Sequence, residues 1–329
     1  MASPRPVRWC ALALRGVSVA WFAAWFVGRI AEDRWAWSQW LFWIPSVTVV
    51  ALSAGALATP WVTGEPRRWP RVALPMCVLL LSSVAMLRSD VGVGLNAAEL
   101  GPGTLRVLQW NTNWPSSDDE RSVQALASVP ADIVLISNRG AITSPDQVRR
   151  WAGAEARVVG AGPFAMVTRW PVREAIQVSG GGGPGKRWWV ARFEVLPPEW
   201  NGEPLRIAMV DLPSKPTLPR AAVAEALRQA CDEGSLGDVD LVAGDFNATD
   251  GSVILSRCFP TFRDALQVAG RGWLATWPRR FPMWRIDHVL VSASIEPLQG
   301  RTIDPGISSH RMTEVRLRKR EPGVTGSAR

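Results

Sequence analysis

The chain has 329 residues, of which 47% are hydrophobic, and a formal net charge of +8. This charge is uneven, since residues 1–90 hold nine arginines against four acidic residues, whereas residues 91–329 hold 28 basic and 25 acidic residues. Binding to a nucleic-acid backbone depends on clustered positive charge, so the nearly neutral second part argues against a long DNA duplex as the ligand.

The first ninety residues contain three apolar runs. Trp9–Ile30 is interrupted by Arg15, Trp35–Gly64 is thirty residues without a charge, and Val72–Leu87 is a third run of sixteen residues. A helix of about 20 apolar residues crosses a bilayer, and flanking residues can extend the shortest run. Two apolar runs after the first argue against a cleaved signal peptide. A buried helical domain is the alternative, but we predict a membrane anchor of about three transmembrane helices over residues 1–89.

The placement of arginine predicts the orientation of these helices. Arg5 and Arg8 precede the first run, and Arg67, Arg68 and Arg71 lie between the second and the third. The positive-inside rule places such segments in the cytoplasm. We therefore predict a multi-pass protein of the cell membrane whose C-terminal domain is extracytoplasmic.

The remaining sequence predicts one domain of mixed secondary structure. The glycine-rich residues 90–104 are a predicted linker, residues 105–318 the domain, and residues 319–329 a basic, flexible tail. Helical patterns at Asp118–Ser128 and Pro219–Cys231 alternate with short apolar strands. This alternation predicts an α+β fold with a two-layered β-sandwich flanked by helices.

Polar side chains follow directly after several of the predicted strands. Acid and amide groups are poor choices for a core, and they belong at an edge where something polar binds. In Gly244–Asn247, the two-residue period of a strand places Asp245 and Asn247 on one face and turns Phe246 toward the interior. A carboxylate and an amide therefore converge. The strands with polar ends are Arg106–Asn111, Asp132–Asn138, Leu241–Asn247 and Arg285–Ser292.

The order of these strand ends resembles the endonuclease/exonuclease/phosphatase family, whose members hydrolyse phosphodiester or phosphomonoester bonds with a divalent metal. The resemblance covers about residues 104–318, and the joint order of the motifs is far more specific than any one of them. It implies a four-layer α/β/β/α fold. The matching segments are Trp110-Asn111, Ser137-Asn138, Thr168–Pro171, Asp211-Leu212, Gly244–Asn247, Thr276-Trp277, Ile286–His288 and Ser308–His310.

The resemblance also implies roles for individual residues. It implies that Asn111 and Asn247 orient phosphate oxygens. Residues that would hold Mg²⁺ or Mn²⁺ are Asp245, Asp287, Asn138 and Asn111. Residues that would take part in catalysis are Asp245, Asn247, His310 and Asp211.

Three positions depart from the family pattern. Asn138 stands where the family has a metal-binding glutamate, Asp211 replaces a histidine that contacts the phosphate, and Ser309 replaces the aspartate that orients the last histidine. We expect weaker metal binding, because the amide of Asn138 carries no charge for a hard cation. We also expect that His310 lacks the partner that fixes its tautomer. Asp211 can take over part of the metal shell.

Crowding of carboxylates gives a further expectation. The pocket keeps Asp211, Asp245 and Asp287, and like charges held close together raise one another's pKa unless a cation is present. One of the three should therefore have an abnormally high pKa in the absence of metal. By contrast, we interpret His288 as structural, Thr276-Trp277 as a loop anchor, and Trp114 as a packing residue.

Two functions follow from this sequence. One is a membrane-anchored, metal-dependent phosphoesterase with a remodelled site, acting on a small or lipid-linked phosphate. The other is a pseudoenzyme that binds a phosphorylated ligand or a protein partner without hydrolysis. The four cysteines show no zinc-type spacing, and pairing of Cys231 with Cys258 stays open.

Overall fold

The computed structural model describes residues 5–64, 69–94, 101–116, 119–180, 187–200, 202–232 and 238–320. The chain divides into two compact units, Met1–Asp90 with Pro219–Ala221, and Val91–Leu218 with Ala222–Arg329. Residues 321–329 of the predicted tail and the side chain of Cys231 lie outside this description.

The first unit is helical. Its described helices are α1 (Arg5–Ala31), α2 (Ala36–Phe42), α3 (Ser46–Thr63) and α4 (Trp69–Ser89). Within the described residues, three segments are long and apolar enough to cross a membrane: Pro6–Ala31, Ser46–Thr63 and Val72–Ser89. The thirty-residue uncharged run holds one of these three segments, Ser46–Thr63, although the run as a whole is not one helix. It contains α2 and α3, because proline disfavours helical backbone in the preceding residue and Pro45 lies directly before α3.

Polar side chains connect α1 to α3 inside this unit. Arg15 Nε donates to Thr59 Oγ1 at 2.6 Å, and the hydroxyl oxygens of Ser18 and Ser53 are 3.4 Å apart. Such contacts are typical of helices that pack in apolar surroundings.

The second unit contains two six-stranded sheets and their helices. The strands of the first half are β1 (Val91–Val93), β2 (Thr104–Asn111), β3 (Ile133–Ser137), β4 (Arg157–Ala161), β5 (Phe164–Thr168), β6 (Val172–Gly180) and β7 (Trp188–Val195). Those of the second half are β8 (Leu205–Asp211), β9 (Leu241–Asp245), β10 (Arg263–Asp264), β11 (Arg271–Trp273), β12 (Asp287–Val291), β13 (Ile295–Ile303) and β14 (Met312–Lys319). The helices are α5 (Glu120–Ala127), α6 (Pro145–Ala152), α7 (Arg220–Asp232), α8 (Val253–Cys258) and α9 (Ala265–Ala269).

The two sheets pack face to face with helices on their outer faces. One sheet has the order β13-β14-β2-β3-β5-β4, and the other β10-β12-β9-β8-β7-β6. Apolar side chains such as Leu135 and Met166 from the first sheet share a core with Phe193 and Met209 from the second. Leu126 of α5 covers the outer face of the first sheet, and α7 and α8 cover that of the second. The predicted four-layer α/β/β/α sandwich is confirmed.

Strand direction brings the polar strand ends together. β2 pairs in parallel with β3, and β8 pairs in parallel with β9, so the ends of neighbouring strands lie at one edge of each sheet. Across three strands of the second sheet, Asp211 is in register with Asp245, which is in register with Asp287. Gly244 is required beside them because its φ is +143° and an added Cβ would lie 2.0 Å from the carbonyl oxygen of Val210.

The predicted linker begins with a strand. Val91–Val93 (β1) pairs antiparallel with Arg271–Trp273 (β11), and Arg271 Nε donates to the carbonyl oxygen of Gly94 at 3.0 Å. Gly92 permits this close approach, since a Cβ there would lie 2.2 Å from the carbonyl oxygen of Gly270. The second unit therefore starts its pairing at Val91, while residues 95–100 lie outside the described part.

Candidate active site

The predicted site residues meet at one edge of the sandwich. Asn111 ends β2, Asn138 follows β3, Asp211 and Asp245 end β8 and β9, and Asp287 begins β12. Hydrogen bonds and ion-pair distances connect these residues to Asn247 and His310, as set out below. Most are buried, whereas Asn138 and Asp211 are partly exposed.

Asn111 connects the two sheets. Its Nδ2 donates to Asp245 Oδ2 at 2.9 Å, while its Oδ1 accepts from Asn138 Nδ2 at 3.1 Å and from the backbone N–H of Asn113 at 3.1 Å. Both polar atoms of the amide are therefore engaged within the protein. In this arrangement the oxygen of Asn111 accepts from two amides, and its roles as a metal ligand and as a residue that orients phosphate stay predictions.

Asp245 and Asn247 form a compact turn after β9. The backbone N–H of Asn247 donates to Asp245 Oδ1 at 2.9 Å, and its Nδ2 donates to the carbonyl oxygen of Leu212 at 2.8 Å. Asn247 has a φ of +46°, a left-handed conformation that asparagine tolerates better than most residues. These bonds fix Oδ1 of Asp245 and connect the turn to Leu212, directly after β8.

His310 has a carboxylate partner, so the expectation drawn from Ser309 is wrong. The Nδ1 atom of His310 lies 2.9 Å from Asp287 Oδ2, and its Nε2 lies 3.8 Å from Asp245 Oδ2. Asp287 thus supplies from β12 the orienting carboxylate that the sequence sought at position 309. With Nδ1 as the donor, Nε2 is directed toward Asp245.

Asn138 and Asp211, two of the residues that depart from the family pattern, are neighbours in the site. The Asn138 amide lies close enough to Asp211 to stabilise its charged form, and Asn138 also donates to Asn111. Asn138 has a φ of +51°, which places its amide at the start of a left-handed turn. The site therefore carries its third carboxylate at the end of β8, next to the amide at the end of β3.

Burial and crowding shift the proton affinities of these groups. Burial, followed by the charge of Asp245, raises the pKa of Asp211 to about 8. Burial, followed by the charge of Asp287, raises the pKa of Asp245 to about 6. Burial alone would lower the pKa of His310, but Asp287, Asp245 and Asp211 outweigh it and raise that pKa to about 9. The expected abnormally protonated carboxyl is Asp211.

The donor atoms suit a small, hard divalent cation. One ligand atom each of Asp245, Asp287 and His310 lies within 4.8 Å of the others, and Mg²⁺ and Mn²⁺ prefer oxygen ligands. A protonated imidazole offers no lone pair, so His310 with its raised pKa suits a phosphate better than a metal. Among these three residues, the fitting donors are the carboxylates of Asp245 and Asp287.

A second buried hydrogen-bond network lies next to the site and contains His288, which the sequence predicted to be structural. The Nδ1 atom of His288 lies 2.6 Å from Asp264 Oδ2, and its Nε2 lies 2.9 Å from the carbonyl oxygen of Ala248. Burial opposes ionisation of Asp264, but Arg285 and His288 outweigh it and lower its pKa to about 2. Thr276 Oγ1 accepts from the backbone N–H of Asp287 at 3.3 Å, consistent with a loop anchor.

Sequence reasoning missed three residues around the site. Gln109 Nε2 lies 3.5 Å from Asp287 Oδ1, and Ser308 Oγ donates to the carbonyl oxygen of Asn111 at 2.8 Å. Gln109 could have been found, since it lies two residues before Asn111 on the same strand face. Trp114 is not a packing residue, because its side chain is exposed. The left-handed backbone conformation of Trp114 could not be predicted from the residues around it.

Comparisons with known proteins bear on the whole domain. The sequence model of the family described as Endonuclease/Exonuclease/phosphatase family matches residues 108–310. Comparison with curated proteins finds no match. The structure is similar to a mannosyl-6-phosphatase of Bacteroides thetaiotaomicron VPI-5482, with a TM-score of 0.50, 17% identity, and coverage of 65% of this chain and 99% of that chain.

Another similar structure is a 3′ phosphatase from Neisseria bound to a product DNA hairpin. Its TM-score is 0.44 and its identity 18%, and the match covers 64% of this chain and 98% of that chain. Similarity at these identities concerns the fold.

The affinity of the site for Mg²⁺ should rise with pH. Asp211 holds a proton when the pH is below its pKa of about 8, and Asp245 holds one below its pKa of about 6. At low pH the cation must displace these protons, whereas at higher pH they have already dissociated. Calorimetric titration of the full-length protein in detergent should show tighter binding at pH 8 than at pH 6. The heat at pH 6 should depend on the buffer, because protons are released.

The variant Asp211→Asn should release fewer protons on binding. Equal affinity at both pH values, with no proton release, would contradict carboxylate ligation.

Proposed function

Because the chain belongs to the endonuclease/exonuclease/phosphatase family, we propose that it is a metal-dependent phosphoesterase with a rearranged set of carboxylates. The observation that carries this proposal is the alignment of Asp211, Asp245 and Asp287 on adjacent strand ends. Donor groups of Asn111, Asn247 and His310 lie around these carboxylates. Anionic oxygens to hold a cation and N–H groups to bind phosphate oxygens are the two components that phosphoryl hydrolysis requires.

The rearrangement concerns the metal-binding carboxylate that the family has at position 138, where this chain has Asn138. Asp211 lies near Asn138 and stands in register with Asp245, so the site has a carboxyl group in the second sheet in place of the family's glutamate at position 138. We propose that Asp245, Asp211 and the amide oxygen of Asn138 hold Mg²⁺ or Mn²⁺. When bound, the cation supplies charge neutralisation and Lewis acidity at the phosphate.

The remaining residues bind, orient and move protons. His310 is protonated at neutral pH because its pKa is raised to about 9, and its Nε2 donates to a phosphoryl oxygen. Asp287 orients the ring through Nδ1. Asp245, on the strand between Asp211 and Asp287, accepts a proton from the attacking water. Asn247 orients a second phosphoryl oxygen.

The helical unit bears on where this reaction occurs. Its three apolar segments are long enough to cross a bilayer, and the arginines of the sequence favour a cytoplasmic amino terminus. We propose a membrane-anchored protein with an extracytoplasmic domain. The substrate is then a small phosphorylated molecule or a lipid headgroup, and the domain's balanced charge does not favour long duplex DNA.

One observation favours the alternative of a pseudoenzyme. Asn138 lacks the charge of the family's glutamate, and the pKa of Asp211 is raised to about 8, so part of the carboxylate set is protonated at neutral pH without a cation. Such a site binds a phosphate group through Asn247 and His310 without hydrolysing it. Binding of phosphate without turnover in the presence of Mn²⁺ is the outcome that would select this alternative.

The phosphoesterase proposal predicts metal-dependent turnover. The full-length protein in detergent should hydrolyse bis(p-nitrophenyl) phosphate with Mg²⁺ or Mn²⁺ and not with EDTA. Asp245→Ala should lower the rate by about 100-fold or more, because it removes a metal ligand and the base together. The control Asp146→Asn changes an exposed acid on α6 and should leave the rate unchanged. Hydrolysis in EDTA, or full activity of Asp245→Ala, would contradict the proposal.

The rearranged carboxylate predicts a compensating pair of substitutions. Asp211→Asn should weaken Mn²⁺ binding about 10-fold to 100-fold, a typical loss for a residue at a metal site. The double variant Asn138→Glu/Asp211→Asn should recover most of this loss, because the charge returns to the end of β3. Calorimetry with Mn²⁺ measures both changes. If Asp211→Asn binds Mn²⁺ like the original protein, Asp211 is not part of the metal shell.

A further inference from the structure

An exposed tryptophan stands beside the phosphate-binding residues. Trp114 follows Asn111 by three positions, and 61% of its side chain is exposed. Its backbone is left-handed, with a φ of +57°, and that of Asn113 is left-handed as well, with a φ of +58°. A bulky aromatic residue rarely adopts this conformation, so the protein holds the indole in an uncommon position.

The hydrogen bonds that hold this tryptophan come from the site itself. The backbone N–H of Trp114 donates to the carbonyl oxygen of Asn138 at 2.8 Å. The preceding N–H of Asn113 donates to Asn111 Oδ1 at 3.1 Å, and the N–H of Ala141 donates to the carbonyl oxygen of Pro115 at 3.2 Å. The backbone of Trp114 is thus fixed relative to the two asparagines at the ends of β2 and β3.

The indole borders a shallow, largely open pocket. This pocket has a volume of about 480 Å³ and is bordered by Trp114, Arg139, Gly140, Thr143, Ser144 and Gly160. The backbone N–H of Trp114 donates to the carbonyl oxygen of Asn138 and Arg139 follows Asn138 in the chain, so the pocket borders the end of the site that Asn138 forms.

Arg139 also lines the pocket. Its Nε donates to the carbonyl oxygen of Gly162 at 3.1 Å, which fixes the guanidinium plane. Gly160 leaves room for this plane, since an added Cβ would lie 2.6 Å from the nearer terminal nitrogen. A flat cation and a flat indole therefore border the same space, next to the site.

We propose that the substrate is a phosphate ester of an alcohol that contains a ring. This pocket binds the ring, while the phosphoryl group occupies the Asp245–His310 site. The ring, either of a sugar or of an aromatic alcohol, packs on Trp114, because indole faces bind both kinds of ring. Arg139 donates to an oxygen on the ring. This inference rests on the proposed function for phosphate binding, and it adds that the preferred substrates carry a ring.

Phosphonates test this pocket, since their P–C bond is not hydrolysed. The probes are methylphosphonate without a ring, phenylphosphonate with an aromatic ring and a hexose 6-phosphonate with a sugar ring. Calorimetry on the full-length protein with Mn²⁺ should show tighter binding of at least one cyclic probe than of methylphosphonate. Trp114→Ala should weaken that cyclic probe about tenfold, a typical effect of losing one stacking partner, and leave methylphosphonate unchanged. Trp114→Phe should retain most of the affinity.

The two cyclic probes distinguish the sources of the ring, because the one that loses affinity in Trp114→Ala identifies it as sugar or aromatic. Phe281→Ala is the matched control, since Phe281 is another exposed aromatic residue, at 77%, and lies outside the residues that line this pocket. It should change nothing.

Three outcomes would overturn the inference. The first is a Trp114→Ala variant that binds the cyclic probes unchanged. The second is an equal loss for methylphosphonate, which would indicate a structural role. The third is an equal effect of Phe281→Ala. In these three cases methylphosphonate still binds to the original protein and the proposed phosphate site stands, whereas absence of binding by every probe would overturn both.

Discussion

Mutual repulsion of the carboxylates at three adjacent strand ends constrains the rest of the site. Asp211, Asp245 and Asp287 stand in register on β8, β9 and β12, and in a buried edge such charges cannot all ionise without compensation. The compensation is visible around them. Asn111 and Asn247 donate to Asp245, and the imidazole of His310 lies beside Asp287. A divalent cation would complete it, which is why the geometry favours a metal-dependent phosphate site.

The sandwich provides this arrangement through strand direction. Two parallel pairs, β2 with β3 and β8 with β9, bring strand ends from both sheets to one edge. Asn111 then joins the sheets by donating to Asp245 across the interface. Because the contacts depend on backbone register, Gly244 is needed where β9 approaches the carbonyl oxygen of Val210. The fold therefore determines the positions of the site residues, because the residues of the proposed chemistry lie at strand ends.

Much of this could be predicted from the sequence, for physical reasons that also explain the exceptions. The two-layered sandwich and the convergence of Asp245 and Asn247 follow from apolar strands with polar ends, whereas the four-layer order and the grouping of Asp287 and His310 with Asp245 were implied by the family resemblance. The partner of His310 did not follow, because Asp287 reaches it from another strand through tertiary packing. The exposure of Trp114 depends on two left-handed backbone residues, and the break at Pro45 was hidden within a uniformly apolar run.

Anomalous diffraction from crystals of the full-length protein grown with Mn²⁺ tests the central claim most directly. The account predicts an anomalous peak within bonding distance of the carboxylate oxygens of Asp245 and Asp211, with His310 outside the coordination shell. A peak that is bonded to His310 and remote from Asp211, or no peak among the strand ends at saturating Mn²⁺, would contradict it.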